Sequence, residues 1–401
     1  MQHNAEPRPA AGLPLGRNVG TLATFGLASA AALGPTLNAG FVEAFSSARV
    51  AALAGGLLLL HLLRFPSFVV TREAWLYAAY VGYMLIQLLW TRDVQLAFNT
   101  IVPATAFLLV LVLYSTLLAF HEEQPVLLGT LAGFLTGAVA YTAVTRFPFT
   151  YPAEFSYNAI AQLYLFGLFI SLILASRSRL PLMFVSISAV IFVHIVATTS
   201  IKTNLGILVG TIVAAVLYRR YFLQTARRYL LVIAVLLGGL AYVVLSNEAL
   251  IDSIRRGVDR VELGVEVLQA RENIAGYSGF ERRSAWQRQG LSEWTENPVF
   301  GYGVEAFRSK FEITSHSTFV DVLYNSGLIG FLLVYGIVIS VAVRLYRAGR
   351  STPDATRATI FGVGCCYLFM TFAGNVHYSG FLAVFVAVST ALLDPRRLPA
   401  E

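Results

Sequence analysis

The sequence predicts an all-α, multi-pass membrane protein with about twelve transmembrane helices and one large loop. Hydrophobic residues make up 57% of the 401 residues and charged residues only 13%, whereas soluble proteins carry about 25% charged residues. Apolar runs of roughly 17–25 residues recur along the chain, which is the length that crosses about 30 Å of hydrocarbon. Because a backbone in lipid must satisfy its own hydrogen bonds, these runs are predicted to be helices.

The predicted spans fall into two groups separated by one polar segment. Residues 1–246 hold the first nine and residues 317–401 hold the last three, so that residues 247–316 form the loop domain. Met1 to Arg17 is polar and basic, so no cleavable signal peptide is expected and the first span should act as a signal anchor. In chain order, the spans are predicted at 19–36, 48–64, 74–90, 99–120, 125–146, 155–176, 180–199, 203–219, 229–246, 318–345, 356–374 and 377–393.

The distribution of basic residues predicts the orientation, because cytoplasmic connections are enriched in arginine and lysine. With both termini in the cytoplasm, the short connections on the other side carry only Arg49, Arg92, Arg146 and Lys202. Nine more basic residues lie in 247–316, where a long translocated loop escapes the rule. The cytoplasmic segments then carry sixteen arginines, at positions 8, 17, 64, 72, 177, 179, 219, 220, 227, 228, 344, 347, 350, 357, 396 and 397.

The loop domain is predicted to contain two helices. The first would rest its apolar side on the membrane surface or on the helix bundle, because apolar residues recur in it at steps of three and four between Ile251 and Leu268. The second runs from about Arg282 to Glu296 and ends at Asn297-Pro298. Gly301-Tyr302-Gly303 should then form a turn or a close backbone approach.

Three features of this region could carry chemistry. His316 stands among Ser315, Ser317 and Thr318 where the chain re-enters the membrane, and a helix N-terminus there disfavours the imidazolium form. Arg282 and Arg283 are either a solvated surface pair or an anion clamp, because guanidinium groups match phosphate oxygens. Lys202 at the outer end of a span is either a snorkelling lysine, with its ammonium group in water, or a contact for a headgroup or diphosphate.

Several classes of site are not expected. Cys365 and Cys366 are the only cysteines and are adjacent within an apolar run, which argues against a structural disulfide or a cysteine metal site. No Asp-x-Asp pair, metal-ligand spacing or glycine-rich nucleotide loop occurs, so we expect no metal and no cofactor. The net charge of +7 follows the predicted topology, and no nucleic-acid partner is expected.

Four short motifs resemble those of the O-antigen ligase and polymerase superfamily. Arg282-Arg283-Ser284-Ala285-Trp286 followed by Asn297-Pro298-Val299-Phe300-Gly301-Tyr302-Gly303 resembles its R-x-x-x-W…P-x-x-G-x-G pattern. His316 to Val320 followed by Ser326 to Gly330 resembles its H-[NS]-x-[FY]-[LV]…G-[LI]-[IL]-G element. Thr199 to Lys202 resembles its T-x-S-R, with lysine in place of arginine, and Phe155 to Ala159 resembles its N-x-x-A element, which contains Asn158.

The resemblance implies a glycosyltransferase with a GT-C-like fold in the bacterial inner membrane and an active site on the periplasmic side. The donor would be a glycan on undecaprenyl diphosphate and the acceptor a sugar of the lipid A-core, as in O-antigen ligases. His316 would accept the acceptor proton, and Arg282, Arg283 and Lys202 would hold the diphosphate without a metal ion. Spacing to Trp286 favours Arg282 as the family arginine. Asn158, Trp286, Tyr302 and Ser317 would support the site.

Other functions remain open at this level. An O-antigen polymerase or a protein O-oligosaccharyltransferase would carry the same motifs and differ only in the acceptor. A single long loop favours the ligases by resemblance. A lipid or glycan transporter belongs to a different class, and transporters often show charged residues within spans and paired inverted repeats. Neither feature stands out here, and the polar groups gather at one face and in one loop.

Overall fold

A computed structural model describes residues 14–40, 46–146, 157–198, 200–219, 278–348, 354–374 and 377–394, with isolated positions between 238 and 255. These residues form thirteen helices and contain no strand. They are α1 Pro14–Gly40, α2 Ser47–Arg64, α3 Arg72–Gln87, α4 Val94–Phe120, α5 Glu123–Thr145, α6 Tyr157–Arg177, α7 Pro181–Ala197, α8 Ile201–Leu217, α9 Ser278–Trp294, α10 Ala306–Phe311, α11 Thr318–Ala348, α12 Ala355–Ala373 and α13 Gly380–Leu392.

Eleven of these helices coincide with predicted spans, with ends that differ by a few residues. Six described helices are long and apolar enough to cross a membrane, and three more are shorter and apolar. The chain is therefore a multi-pass membrane protein, while the total of twelve spans stays a prediction. The predicted span at 229–246, the predicted helix between Ile251 and Leu268, and the side chains of Arg282 and Arg283 lie outside the described residues.

Close helix packing at small residues holds the first half of the bundle together. Gly129 and Gly133 of α5 lie directly against the backbone carbonyls of Phe25 and Ser29 in α1, where a Cβ atom would clash. Small residues one turn apart let membrane helices approach closely, because lipid offers no hydrophobic force between helices. Further pairs follow, α8 with α12, α6 with α7, α2 with α4, α4 with α13 and α3 with α11.

Helices α9 and α10, which lie in the loop, pack against the start of α11. The second loop helix, predicted from Arg282 to Glu296, is present as α9 and ends at Trp294, close to the predicted Asn297-Pro298 stop. Phe307 and Tyr324 are buried in a small apolar cluster between α9, α10 and α11. Trp286 packs against that cluster from α9. The cluster fixes the loop helices to the membrane bundle at one end of the molecule.

Helix α11 is broken at Gly327, which has φ 60° and ψ −162°. The break leaves backbone N–H and C=O groups of α11 without partners inside the helix, and residues 298–303 form hydrogen bonds with them. Leu328 N donates to Pro298 O at 2.8 Å, and Gly303 N donates to Asn325 O at 2.9 Å. Gly301 and Gly303 also have positive φ, of 69° and 101°, a conformation that costs glycine little. The predicted turn at these glycines is therefore present, and it braces a broken membrane helix.

Candidate active site

A cavity of about 480 Å³ lies at one end of the helix bundle and brings distant segments together. Lys202 from α8 and His316 from the loop before α11 both line it. Asn158 of α6, a further predicted site residue, lines the same cavity. No carboxylate occurs among the described residues that line it, so its charged and titratable groups are cationic or neutral. The neutral polar lining includes Asn38, Ser47, Gln162, Thr314, Tyr378 and Ser379.

The position of Lys202 is set by the first turn of α8. Ser200 is the N-cap residue, and its hydroxyl donates to Asn158 Oδ1 at 3.0 Å and lies 3.0 Å from Thr203 Oγ1. The Lys202 ammonium lies against the backbone of Gly374, where a Cβ atom would clash with it. The end of α12 therefore limits where the ammonium can point.

The backbone around His316 is held on both sides. His316 itself has φ 55°, a left-handed conformation that non-glycine residues rarely adopt and that clusters at functional sites. Before it, Gln287 Nε2 donates to Ser315 O at 2.6 Å, which ties α9 to this loop. After it, Ser317 Oγ accepts from Val320 N at 3.4 Å. Ser317 is thus the residue that caps α11, and the imidazole stands just before a helix N-terminus.

The two arginines of α9 differ in their position along the helix. Residues four apart lie on one helix face, so position 283 shares a face with Gln287, which contacts the His316 loop. Position 282 shares a face with Trp286, which packs on the Phe307 and Tyr324 cluster. The helix register therefore places position 283, and not position 282, on the face of Gln287.

Two of the predicted supporting residues lie away from the cavity. Tyr302 stacks on Tyr324 with ring centroids 4.8 Å apart and donates to Glu293 O at 2.8 Å. Trp286 packs with the same group of aromatic side chains. Both residues connect the loop helices to α11, so in the described structure they stabilise the loop that carries His316 and line no part of the cavity.

Sequence reasoning missed Gln162 and Glu305. Gln162 lines the cavity one turn after Asn158 on α6, and two amides at i and i+4 within an apolar span are the signal that could have found it. Glu305 has φ 59° and accepts from Thr100 Oγ1 at 2.6 Å. Burial raises the pKa of Glu305, against the opposing effects of the Thr100 hydrogen bond and the charge of Arg308. No spacing in the sequence marks that contact.

A second cavity, of about 280 Å³, is apolar and adjoins the first. It lies among α11, α12 and α13 and is lined by side chains such as Val334, Val338, Leu368 and Phe385. Phe107 of α4 lines both cavities. The polar cavity thus has an apolar neighbour within the bundle, an arrangement that suits a ligand with a charged head and a hydrocarbon tail.

Residues 188–335 match a family model described as O-antigen ligase. The match supports an assignment to the O-antigen ligase and polymerase superfamily and indicates a glycosyltransferase-type enzyme. It spans the motifs around Lys202, position 282 and His316, and ends before α12, while Asn158 precedes it. A search of the curated proteins finds no match.

Proposed function

We propose that this chain, a member of the O-antigen ligase and polymerase superfamily by its match over residues 188–335, transfers a glycan from undecaprenyl diphosphate to a sugar of the lipid A-core. The observation that carries the proposal is the shared cavity of Lys202, His316 and Asn158, which come from three separate parts of the chain. We further propose that this cavity faces the periplasm of a bacterial inner membrane, as the arginine distribution predicts.

The diphosphate of the donor would bind in the polar cavity. A charged lysine without a carboxylate among its described cavity neighbours favours an anion there. We assign the second cationic contact to position 283 of α9 in preference to position 282, because 283 shares a helix face with Gln287 and Gln287 contacts the His316 loop. This assignment reverses the preference that the spacing to Trp286 gives.

The polyprenyl tail would occupy the apolar cavity. Phe107 stands between the two cavities, so a donor whose diphosphate lies beside Lys202 can place its first isoprenoid units against α11 and α12. Burying each CH₂ group contributes about 0.8 kcal/mol. The tail would therefore supply binding energy while the polar cavity orients the bond that breaks.

The reaction is a single displacement at the anomeric carbon. The acceptor hydroxyl attacks that carbon, the bond from carbon to the diphosphate oxygen breaks, and its electron pair leaves with the diphosphate. His316 accepts the hydroxyl proton, and the cationic groups stabilise the charge on the leaving group. The configuration is inverted, because one displacement occurs on the face opposite the leaving group.

Reconstitution of the purified chain with lipid-linked glycan and candidate acceptors tests the proposal. Transfer to lipid A-core supports the ligase. Transfer onto a second lipid-linked glycan identifies a polymerase, and transfer onto protein identifies an O-oligosaccharyltransferase. Movement of the glycan across the bilayer without bond formation identifies a transporter. Strong inhibition by EDTA that Mg²⁺ reverses would contradict the metal-free mechanism.

A further inference from the structure

A third cavity, of about 340 Å³, lies at the opposite end of the helix bundle. Thr24, His61, Arg64 and His121 line it. On α4, Phe107 lies at the middle of the helix and lines the candidate active site, and His121 directly follows its C-terminal end. Fourteen residues at about 1.5 Å per residue separate them by about 21 Å. The third cavity is therefore a separate site on the face that the arginine distribution predicts to be cytoplasmic.

The polar groups of this cavity come from three segments and face one another. His121 Nδ1 lies 2.8 Å from the Thr24 hydroxyl, and His121 Nε2 lies 3.5 Å from His61 Nδ1. His61 is 2% exposed, and its Nε2 atom has no hydrogen-bond partner among the described residues. A buried imidazole nitrogen without a partner is costly, so a ligand that supplies an acceptor would stabilise this arrangement.

The cavity is cationic. Arg64 lies in the last turn of α2 beside His61, and no described carboxylate lines the cavity. Burial, then the charges of His61 and Arg64, lower the pKa of His121. The acidic Glu123 begins α5 nearby, but it pairs with Arg177 at 2.6 Å. An anion in the cavity would meet a guanidinium, two imidazoles and a hydroxyl.

The remaining lining is apolar, and apolar side chains are exposed beside it. Leu27, Leu57, Leu60 and Phe65 line the cavity, and Leu63 beside them is 85% exposed on the outside of α2. A free anion would gain nothing from these side chains, whereas a lipid could lay its acyl chains along them. A cationic pocket at the end of a membrane helix, continuous with an apolar surface, is the chemistry that recognises a lipid headgroup.

We propose that this cavity binds the phosphate headgroup of an anionic phospholipid from the leaflet opposite the candidate active site. Arg64 contacts the phosphate oxygens and His61 Nε2 donates to them, while His121, in contact with Thr24, holds the His61 ring. The lipid joins α1, α2 and the turn between α4 and α5. The site uses none of the residues assigned to glycan transfer.

The test is a binding titration of the delipidated full chain in neutral detergent. Phosphatidylglycerol should bind more tightly than phosphatidylcholine and raise the unfolding temperature more. Arg64→Gln should weaken phosphatidylglycerol binding about tenfold, which is about 1.4 kcal/mol, because a charge-assisted contact to the phosphate is lost. Arg72→Gln is the matched control, because Arg72 is an exposed arginine at the start of the next helix on the same face.

Three results decide the outcome. Equal loss in Arg64→Gln and Arg72→Gln would overturn the site and leave general surface attraction. Inorganic phosphate that reproduces the full stabilisation would overturn the lipid assignment, because it needs no acyl chain. His61→Ala serves as an independent variant, and retention of full phosphatidylglycerol affinity in it would remove the proposed imidazole contact.

Discussion

The two ends of the helix bundle contain different arrangements of charged side chains. At the end predicted to be cytoplasmic, arginines meet carboxylates, as in Arg177 with Glu123 at 2.6 Å and Arg344 with Glu73 at 3.1 Å. At the other end, Lys202 and His316 share a cavity that no described carboxylate lines. Charges that are neutralised by neighbours join helices, whereas a cationic cavity favours an anionic ligand. We call the end with these two ion pairs the structural end and the end with the Lys202 cavity, where we propose the reaction, the functional end. The third cavity, with Arg64, is a separate cationic cavity at the structural end.

The largest expected effect comes from the imidazole at the functional end. His316→Ala should lower the rate of glycan transfer about 10²–10⁴-fold, the usual contribution of a general base, while donor binding and the unfolding temperature change little. The measurement is the initial rate with reconstituted donor and acceptor. His194→Ala, in α7 and outside the cavity lining, is the control. Full activity of His316→Ala would remove the catalytic role.

The second effect concerns the ammonium in the same cavity. Lys202→Ala should weaken donor binding about 10- to 100-fold, because a charge-assisted contact to phosphate is lost. Lys202→Arg should keep most of the affinity, since it preserves the charge and adds a guanidinium fork. Donor affinity is measured by equilibrium binding in nanodiscs. If Lys202→Ala binds donor as wild type does, the cavity does not hold the diphosphate.

A third variant moves the ammonium without removing it. Gly374→Ala places a methyl group where the Lys202 ammonium now lies, and the flexible lysine end should move aside at little cost in stability. We expect a loss of donor affinity smaller than that of Lys202→Ala, about three- to tenfold, which is up to about 1.4 kcal/mol. Gly82→Ala in α3, where the added methyl group meets no atom within 4 Å and which lines neither cavity, is the control. Equal affinities in the two variants would show that this contact does not position Lys202.

The fourth variant lies at the structural end and should leave transfer unchanged. Arg344→Met removes the ion-pair partner of the fully buried Glu73 carboxylate, which keeps the hydrogen bond from the Ser340 hydroxyl at 2.5 Å. We expect a loss of about 1–3 kcal/mol in unfolding free energy, because a buried charge without its partner is costly. The rate of the folded enzyme should stay at the wild-type value. A large change in the rate would contradict the proposal that this ion pair contributes to stability and not to glycan transfer.

The smallest effect concerns the pH dependence of stability near Glu305. Because burial raises the pKa of this carboxyl, the folded state disfavours its ionised form, and its contribution to stability is lost as the pH rises through the folded pKa. Glu305→Gln keeps an acceptor for the Thr100 hydroxyl and removes that loss. The variant and the wild type should match in acid, and the variant should be the more stable at pH 8. Parallel unfolding temperatures across the pH range would contradict this.

The membrane helices of this protein could be predicted from the sequence, because each long apolar run determines its own helical structure. A run such as 99–120 must become a helix wherever it lies in the bilayer, and α4 confirms it. The turn at Gly301 and Gly303 was predictable as well, since neighbouring glycines permit positive φ. The break in α11 at Gly327 was not, because a lone glycine in a membrane helix is common and only the docked 298–303 turn stabilises the break.

The amino-acid sequence by itself determined the membrane class, most helix boundaries and the residue types able to handle phosphate. Only the tertiary structure decided which of those residues meet, because helices that are far apart in the chain become neighbours through packing. It brought Lys202, His316 and Asn158 to one cavity, with Gln162 beside them. It also showed that Trp286 and Tyr302 pack within the loop and do not line the cavity. Which side of a helix contacts a neighbouring helix depends on tertiary packing, which no local sequence pattern encodes.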